Sequence, residues 1–264
     1  MVPRKFAWAV TGRVAIALTL LLAVSTAGNI ARAAEIKVMS AAAMAPVLKD
    51  IAGEFERTSG HKLVIAGDTA GAVVKRFLGG ESADVVIVTA PQIAGLVKEG
   101  KIEAASSTQV TKVGVGITIK SGTPKPRVAS VDDFKNALMA AKAVIYADPA
   151  GGGAAGIHVG NIIQKLGIAE QLNSKIVLAK GGDIADVTIG KGSGAIGMTQ
   201  ISEIVGHAGA DLVGPLPEEL QNYTIFAIGS VTGTKQIDAV NAFTKFLKGP
   251  SAAAAIKARG MQPG

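Results

Sequence analysis

Ala66–Pro91 reads AGDTAGAVVKRFLGGESADVVIVTAP, and this stretch decides the fold. Lys62–Ala66 leads into it as a strand, and Gly67-Asp68-Thr69-Ala70-Gly71 cannot stay helical, so the chain turns there. Ala72–Leu78 is then a short amphipathic helix that Gly79-Gly80 stops. Ala83-Asp84-Val85-Val86-Ile87-Val88 follows, a nearly unbroken apolar run short enough for a strand buried on both faces. Such a strand–turn–helix–strand unit aims the N–H groups of its helix N-terminus past the strand ends. Open α/β sheets bind ligands there, and helix N-termini suit anions. The stretch therefore supplies half of a binding site.

Upstream, Glu35–Ser40 (EIKVMS) is a first strand, and Pro46 suits the first turn of a helix running to about Thr58. Val47, Leu48, Ile51, Ala52 and Phe55 make its apolar stripe, with Lys49, Asp50, Glu54 and Glu56 outside it. Tight strand–helix–strand spacing implies right-handed crossovers and a mostly parallel sheet. Downstream, Pro91 opens a short helix to Glu99, and Gln109–Lys120 is a long strand that passes into a second lobe. The pattern restarts there. Helices over Val131–Lys142, Ala155–Leu166 and Asp183–Gly190 alternate with strands over Ala143–Ala147, Lys175–Ala179 and Ala195–Thr199. Tyr223–Gly229 is the return strand, and helices over Gln236–Leu247 and Ser251–Arg259 close the chain. Asp148–Gly156 (DPAGGGAAG) mirrors the Gly67–Gly71 turn, so the two lobes form a clamshell hinged in the two connecting strands.

Composition narrows the function. The chain is 48% hydrophobic but only 4% aromatic, so its core is aliphatic. Its start carries Arg4, Lys5 and Arg13, then the apolar Val14–Val24, then Ala31-Arg32-Ala33. A charged start, an apolar middle and an A-x-A end define a secretory signal peptide over residues 1–34. The apolar run is shorter than the ~20 residues that a membrane span needs. Arg4, Lys5, Arg13 and Arg32 leave with the leader, so 23 of the 27 basic residues remain against 20 acidic ones. No block of like charge remains to grip nucleic acid. Cysteine is absent, which fits a periplasmic domain held by its core alone and excludes thiol chemistry and a lipid-anchored N-terminus.

The motifs with a nucleotide-binding or catalytic pattern fail on context. Gly192-Ser193-Gly194-Ala195-Ile196-Gly197 fits G-x-G-x-x-G but precedes a strand instead of following one. Gly190-Lys191-Gly192 lacks the Ser or Thr of a P-loop. His61, His158 and His207 have no nucleophile or ligand spacing around them. Asp68 and Thr69 have two readings, an N-cap for the following helix or a contact to ligand.

With these elements placed, the chain resembles the periplasmic molybdate-binding proteins of ABC importers, within the type II solute-binding fold. The resemblance rests on IKVMSAAAMAPVLKDIA (36–52), ADVVIV (83–88), ADPAGGGAAGI (147–157), GSGAIGM (192–198) and FTKFLKGPSAAAAIKARGM (243–261), and spans Glu35–Gln262. It implies an α/β clamshell of two mainly parallel, helix-flanked sheets joined by two crossing strands. The lobes are expected at 35–115 with 228–264, and at 116–227. In that family, hydroxyls and backbone amides hold an oxyanion without a counter-charge. Its two serine positions fall here on Ala43 and Ala70, its tyrosine on Gln200, and its backbone donors on Ala155 and Gly182. Ser40, Thr69, Thr199 and Gln200 are available to compensate, and Asp68 stands where the family has no acid.

The expected function is that of a periplasmic solute-binding protein, a monomer that closes over a molybdate- or tungstate-like oxyanion and delivers it to an inner-membrane ABC permease. No catalysis, cofactor, protein-bound metal or nucleic-acid partner is expected. The alternatives are a small organic acid or other polar metabolite as ligand, because the alanines leave room, or a ligand-sensing role without transport.

Overall fold

The computed structural model describes residues 33–264, so the expected leader lies outside the described residues apart from its last two positions. The first half alternates as its pattern requires: β1 (Glu35–Ala41), α1 (Ala45–Ser59), β2 (Lys62–Asp68), α2 (Ala70–Leu78), β3 (Val85–Thr89) and α3 (Ala90–Lys98). Helix α1 buries Val47, Leu48, Ile51 and Phe55, the stripe legible in the sequence. Thr89 and Gln92 form a capping box that starts α3 directly off the end of β3. Helix α2 begins two residues earlier than expected. The Thr69 hydroxyl accepts from the Ala72 amide at 3.1 Å, and this cap draws Ala70 and Gly71 into the helix despite the glycine.

β4 (Thr108–Lys120) is 13 residues long. Beyond it come α4 (Val131–Ala140), β5 (Ala143–Ala147), α5 (Ala154–Lys165), α6 (Ala169–Leu172), β6 (Ile176–Ala179), α7 (Ile184–Lys191), β7 (Ala195–Gln200), α8 (Ile201–Ile204) and β8 (Ala210–Pro215). The chain returns through β9 (Tyr223–Ser230) and ends in α9 (Ile237–Leu247), α10 (Pro250–Ala258) and β10 (Gln262–Pro263). Strand β8 is an addition to the sequence reading, which named no element between Ala195–Thr199 and Tyr223–Gly229. It pairs antiparallel to β4 from Gly116 to Lys120, because Leu212 and Val213 give it enough side chain to cover that strand.

The strands run in one curled order, β2-β1-β3-β9-β4-β7-β5-β6, with β8 and β10 also paired to β4. Pairs β1–β2, β1–β3, β5–β6 and β5–β7 are parallel, while every strand joined to β4 or β9 is antiparallel to it. The crossing strands thus add antiparallel centres to two parallel halves. Strand β4 serves both halves because its register shifts at Gln109/Thr111 and at Ile117/Thr118, where the ladder bends. Between these bends, the Gln221 side-chain amide accepts from the Val115 N–H at 2.9 Å and donates to the Val115 carbonyl at 3.0 Å, replacing a strand partner.

Two cores follow. One gathers residues of β1, α1, β3, α3, the start of β4 and the C-terminal helices, with Phe55 against Phe243 edge-on at 5.2 Å between ring centroids. The other gathers Val115, Ile117 and Ile119 of β4 with α4, α5, β5 and β7. Close helix–strand packing in this half depends on Gly156, since a Cβ there would lie 2.2 Å from the Ala147 carbonyl oxygen.

Candidate functional site

The ends of β1, β2, β5 and β7 and the starts of α2 and α5 converge where the two halves meet. They enclose two adjoining spaces. The inner cavity, about 30 Å³, is lined by Ala43, Ala70, Ala155, Thr199, Gln200 and Glu203 among others. The outer chamber, about 470 Å³, is bounded by Lys49, Asp68, Lys180, Gly182, Glu203 and Arg259 among others. A water needs at least ~10–15 Å³, so the inner space takes about two waters or one small anionic group. The outer one has room for the body of a small molecule.

The expected site residues divide between these spaces. Ala43, Thr69, Ala70, Ala155 and Gln200 lie on the inner cavity, and Asp68 and Gly182 on the outer chamber. Ser40 lines neither. It is fully buried, and its hydroxyl donates to the Ala41 carbonyl at 3.2 Å. Thr69 caps α2, and its hydroxyl donates across the gap to the Gly151 carbonyl, so it is committed to holding the halves together. Asp68 accepts from the Thr69 amide at 2.8 Å and stands 3.6 Å from Arg76, an arrangement that shapes the turn and offsets its charge.

The donors left for a ligand are mainly backbone amides. The first-turn N–H groups of a helix have no acceptor within it. In α2 the Gly71 and Ala72 amides are taken by the Gly152 carbonyl and the Thr69 hydroxyl, which leaves Ala70 on the inner cavity, and Ala155 stands there in the first turn of α5. Gln200 adds an amide. Its Nε2 donates to the Thr224 hydroxyl at 2.9 Å, and its Oε1 is buried without a partner. An orphaned buried acceptor costs about 1–3 kcal/mol. Turning the amide over keeps the bond to Thr224, whose hydroxyl then donates, and puts the NH₂ group where the orphaned acceptor stood, in a residue that lines the inner cavity. Gln200 can therefore meet either a donor or an acceptor of the ligand.

Glu203 is the group that the sequence reading missed. It lies on both spaces and keeps part of its surface open to them, while protein packs around it on the remaining sides. The Thr199 hydroxyl donates to its Oε2 at 2.7 Å. Burial pushes its carboxyl up to about 7, Asp183 adds to the rise, and the Thr199 bond opposes it. The available signal was Thr199 four residues before Glu203, the spacing of one helical turn, directly after a strand expected to end at the site.

The outer chamber carries both charge signs. Arg259 donates through Nε and Nη2 to the two carboxylate oxygens of Asp50, at 2.6 and 2.8 Å, and holds the Asp50 carboxyl below its usual range. Lys49 and Lys180 enter no ion pair among the described residues and remain available to an anion. His207 sits 3.4 Å from Asp186. Among the described residues, no group of three His, Cys, Asp or Glu is placed to hold a metal, and no helix is long and apolar enough to cross a membrane.

Known proteins share this architecture. The chain is 27% identical over 232 residues to an aconitate isomerase from Pseudomonas sp., covering 86% of this chain and 87% of that protein. It is 30% identical over 245 residues to the molybdate-binding protein ModA of Azotobacter vinelandii, covering 87% and 90%. The solved structure of the Azotobacter vinelandii periplasmic molybdate-binding protein superposes with a TM-score of 0.68 at 21% identity, covering 86% of this chain and 98% of that one. Relatives of this chain thus include a protein named for chemistry as well as proteins named for binding. Residues 36–262 match the family described as bacterial extracellular solute-binding protein, and with its ModA-like sequence and clamshell fold the chain belongs to that family.

Proposed function

We propose that this protein captures a small organic acid bearing two or more carboxylates between its two halves. It works as an exported binding component, set free by cleavage of its leader, and hands the ligand to an ABC permease of the inner membrane. The observation that carries this reading is the pair of spaces meeting at Glu203, a cradle for one anionic group opening into a chamber of about 470 Å³ whose wall carries Lys49 and Lys180, neither in an ion pair among the described residues. One carboxylate sits against the Ala70 amide of α2, the first-turn amides of α5 and the Gln200 amide. The others reach toward the lysines. A tetrahedral oxyanion would fill the inner cavity alone and concentrate its charge beside the Glu203 carboxyl, without the hydroxyls that Ala43 and Ala70 lack. The similarity to a protein named aconitate isomerase supports an organic tricarboxylate as one such ligand.

A second reading keeps the oxyanion. Thirty per cent identity to a molybdate-binding protein supports it, as do backbone amides that bind anions whatever the side chain. Thermal-shift measurements at pH 6.5 separate the two. The panel is molybdate, tungstate, sulfate, phosphate, succinate, citrate, tricarballylate and cis- and trans-aconitate. A ligand at 100 times its Kd stabilises by about 2.7 kcal/mol, a shift of several degrees. Shifts with the di- and tricarboxylates alone support the organic-acid reading. A shift with molybdate and tungstate alone replaces it with the oxyanion.

A further inference from the structure

We propose that Glu203 moves a proton between carbon atoms of an unsaturated polycarboxylate held in this site, so that the protein isomerises such a ligand as well as binding it. The inference rests on the organic-acid reading above and assigns a chemical role that the reading itself does not need.

Three observations converge on Glu203. It lies on both the inner cavity and the outer chamber, so any ligand spanning the two passes over its carboxyl. Its Oε2 accepts from the Thr199 hydroxyl at 2.7 Å, which fixes the group, while Oε1 has no hydrogen-bond partner among the described residues. The hydroxyls that could otherwise act nearby are committed: Thr69 to the Gly151 carbonyl, Ser40 to Ala41, and Ser202 to the Ala43 carbonyl at 2.8 Å. The inner site therefore has a carboxyl, a carboxamide and backbone amides to work with, and proton transfer is the chemistry they support. The burial that brings this carboxyl near neutrality suits it to take and return a proton at physiological pH. The charged groups around it are Asp183, and, on the outer chamber, Lys49, Asp68, Lys180, His207 and Arg259.

The step balances without a co-reactant. In an acid with a CH₂ group between a carboxylate and a C=C bond, the Glu203 carboxylate takes one CH₂ proton. A C–H bond breaks and an O–H bond forms on Glu203. The electron pair moves through the C=C bond, and the negative charge spreads onto the attached carboxylates. First-turn amides at Ala70 and Ala155 and the Gln200 amide offer donors to that charge. Glu203 then returns the proton to the far carbon of the three-carbon unit, and the double bond moves by one position. In aconitate the skeleton reads the same from both ends, so the product differs only in cis or trans geometry.

The test uses the purified protein in D₂O near neutral pH with trans-aconitate, following the CH₂ and vinyl signals by proton NMR and binding by thermal shift on the same preparation. Wild type is expected to exchange the CH₂ protons for deuterium and to form the cis isomer. Glu203→Gln is expected to bind within about tenfold of wild type and to exchange at least ~10²-fold more slowly, the low end of general acid–base contributions. The Thr199→Val variant, which loses the bond that lowers the Glu203 pKa, should show its exchange–pH midpoint moved to higher pH. A wild type that binds trans-aconitate but neither exchanges deuterium nor forms the cis isomer overturns the inference and leaves the organic-acid reading intact. Undiminished exchange in Glu203→Gln, or an unmoved midpoint in Thr199→Val if Glu203→Gln does not fold, also overturns it. An absence of binding to every organic acid overturns both.

Discussion

Gly71 and Gly152 touch across the gap between the two halves. The amide of the first donates to the carbonyl of the second at 3.1 Å, and a Cβ on Gly71 would lie 2.7 Å from the Gly152 Cα. With the Thr69–Gly151 hydrogen bond beside it, this contact makes the closed arrangement depend on bare backbone at residue 71.

Gly71→Ala should therefore hold the clamshell ajar without unfolding either core. Forcing extra methyl groups into packed contacts costs about 1–3 kcal/mol, or about 5- to 150-fold in affinity if the cost falls on the closed state alone. Small-angle scattering should show a larger radius of gyration, and calorimetry a weaker Kd with a thermal midpoint near that of wild type. A variant as compact and as tight-binding as wild type would show that the contact does not govern closure.

Gln200→Leu removes the orphaned Oε1 together with the amide offered to the ligand. The ligand-free protein should melt at or above the wild-type temperature, because a buried unsatisfied acceptor is gone at the cost of one bond to Thr224. Affinity for the ligand should fall by roughly 10- to 100-fold, the loss of about one well-placed buried hydrogen bond. Reduced stability with unchanged affinity would mark Gln200 as a purely structural residue.

Glu203 carries a pH signature with a definite sign. Its folded pKa of about 7 lies above the ordinary 4.5, so the folded state holds a proton that the unfolded state releases. The group therefore costs nothing below pH 4.5, an increasing amount between 4.5 and 7, and its full penalty above 7. Replacing it with Gln should raise stability at pH 8 by up to about 3 kcal/mol, at 1.36 kcal/mol per pKa unit, relative to any change at pH 4. Urea denaturation of both proteins at the two pH values measures the difference. A constant difference would place the Glu203 carboxyl in water.

The architecture was legible because it rests on local pattern. Val85–Val88 could only be a strand covered on both faces, and it is fully buried. The alternation of strands and helices followed from the apolar periods on either side of each glycine turn. What the sequence hid depends on contacts between distant residues. Nothing in GDTAG says that Thr69 reaches a carbonyl 82 residues away, which took its hydroxyl from the ligand and gave it to closure. Strand β8 was missed because Gly206, Gly209 and Gly214 disguise a short apolar run that gains its pairing only from β4. Glu203 carries no motif that would mark it in the sequence. Its role as the wall between two spaces comes from the packing of α8 against the other half, which no spacing along MTQISEIVG discloses.

Calorimetric titration at pH 7 in two buffers of different ionisation enthalpy tests the central claim, an organic polycarboxylate bound against Glu203. The expected result is binding of a di- or tricarboxylate with uptake of a fraction of one proton, because the incoming negative charge raises the Glu203 pKa further; that uptake should vanish in Glu203→Gln. Titration by molybdate or tungstate, with no heat from any organic acid, would contradict the account.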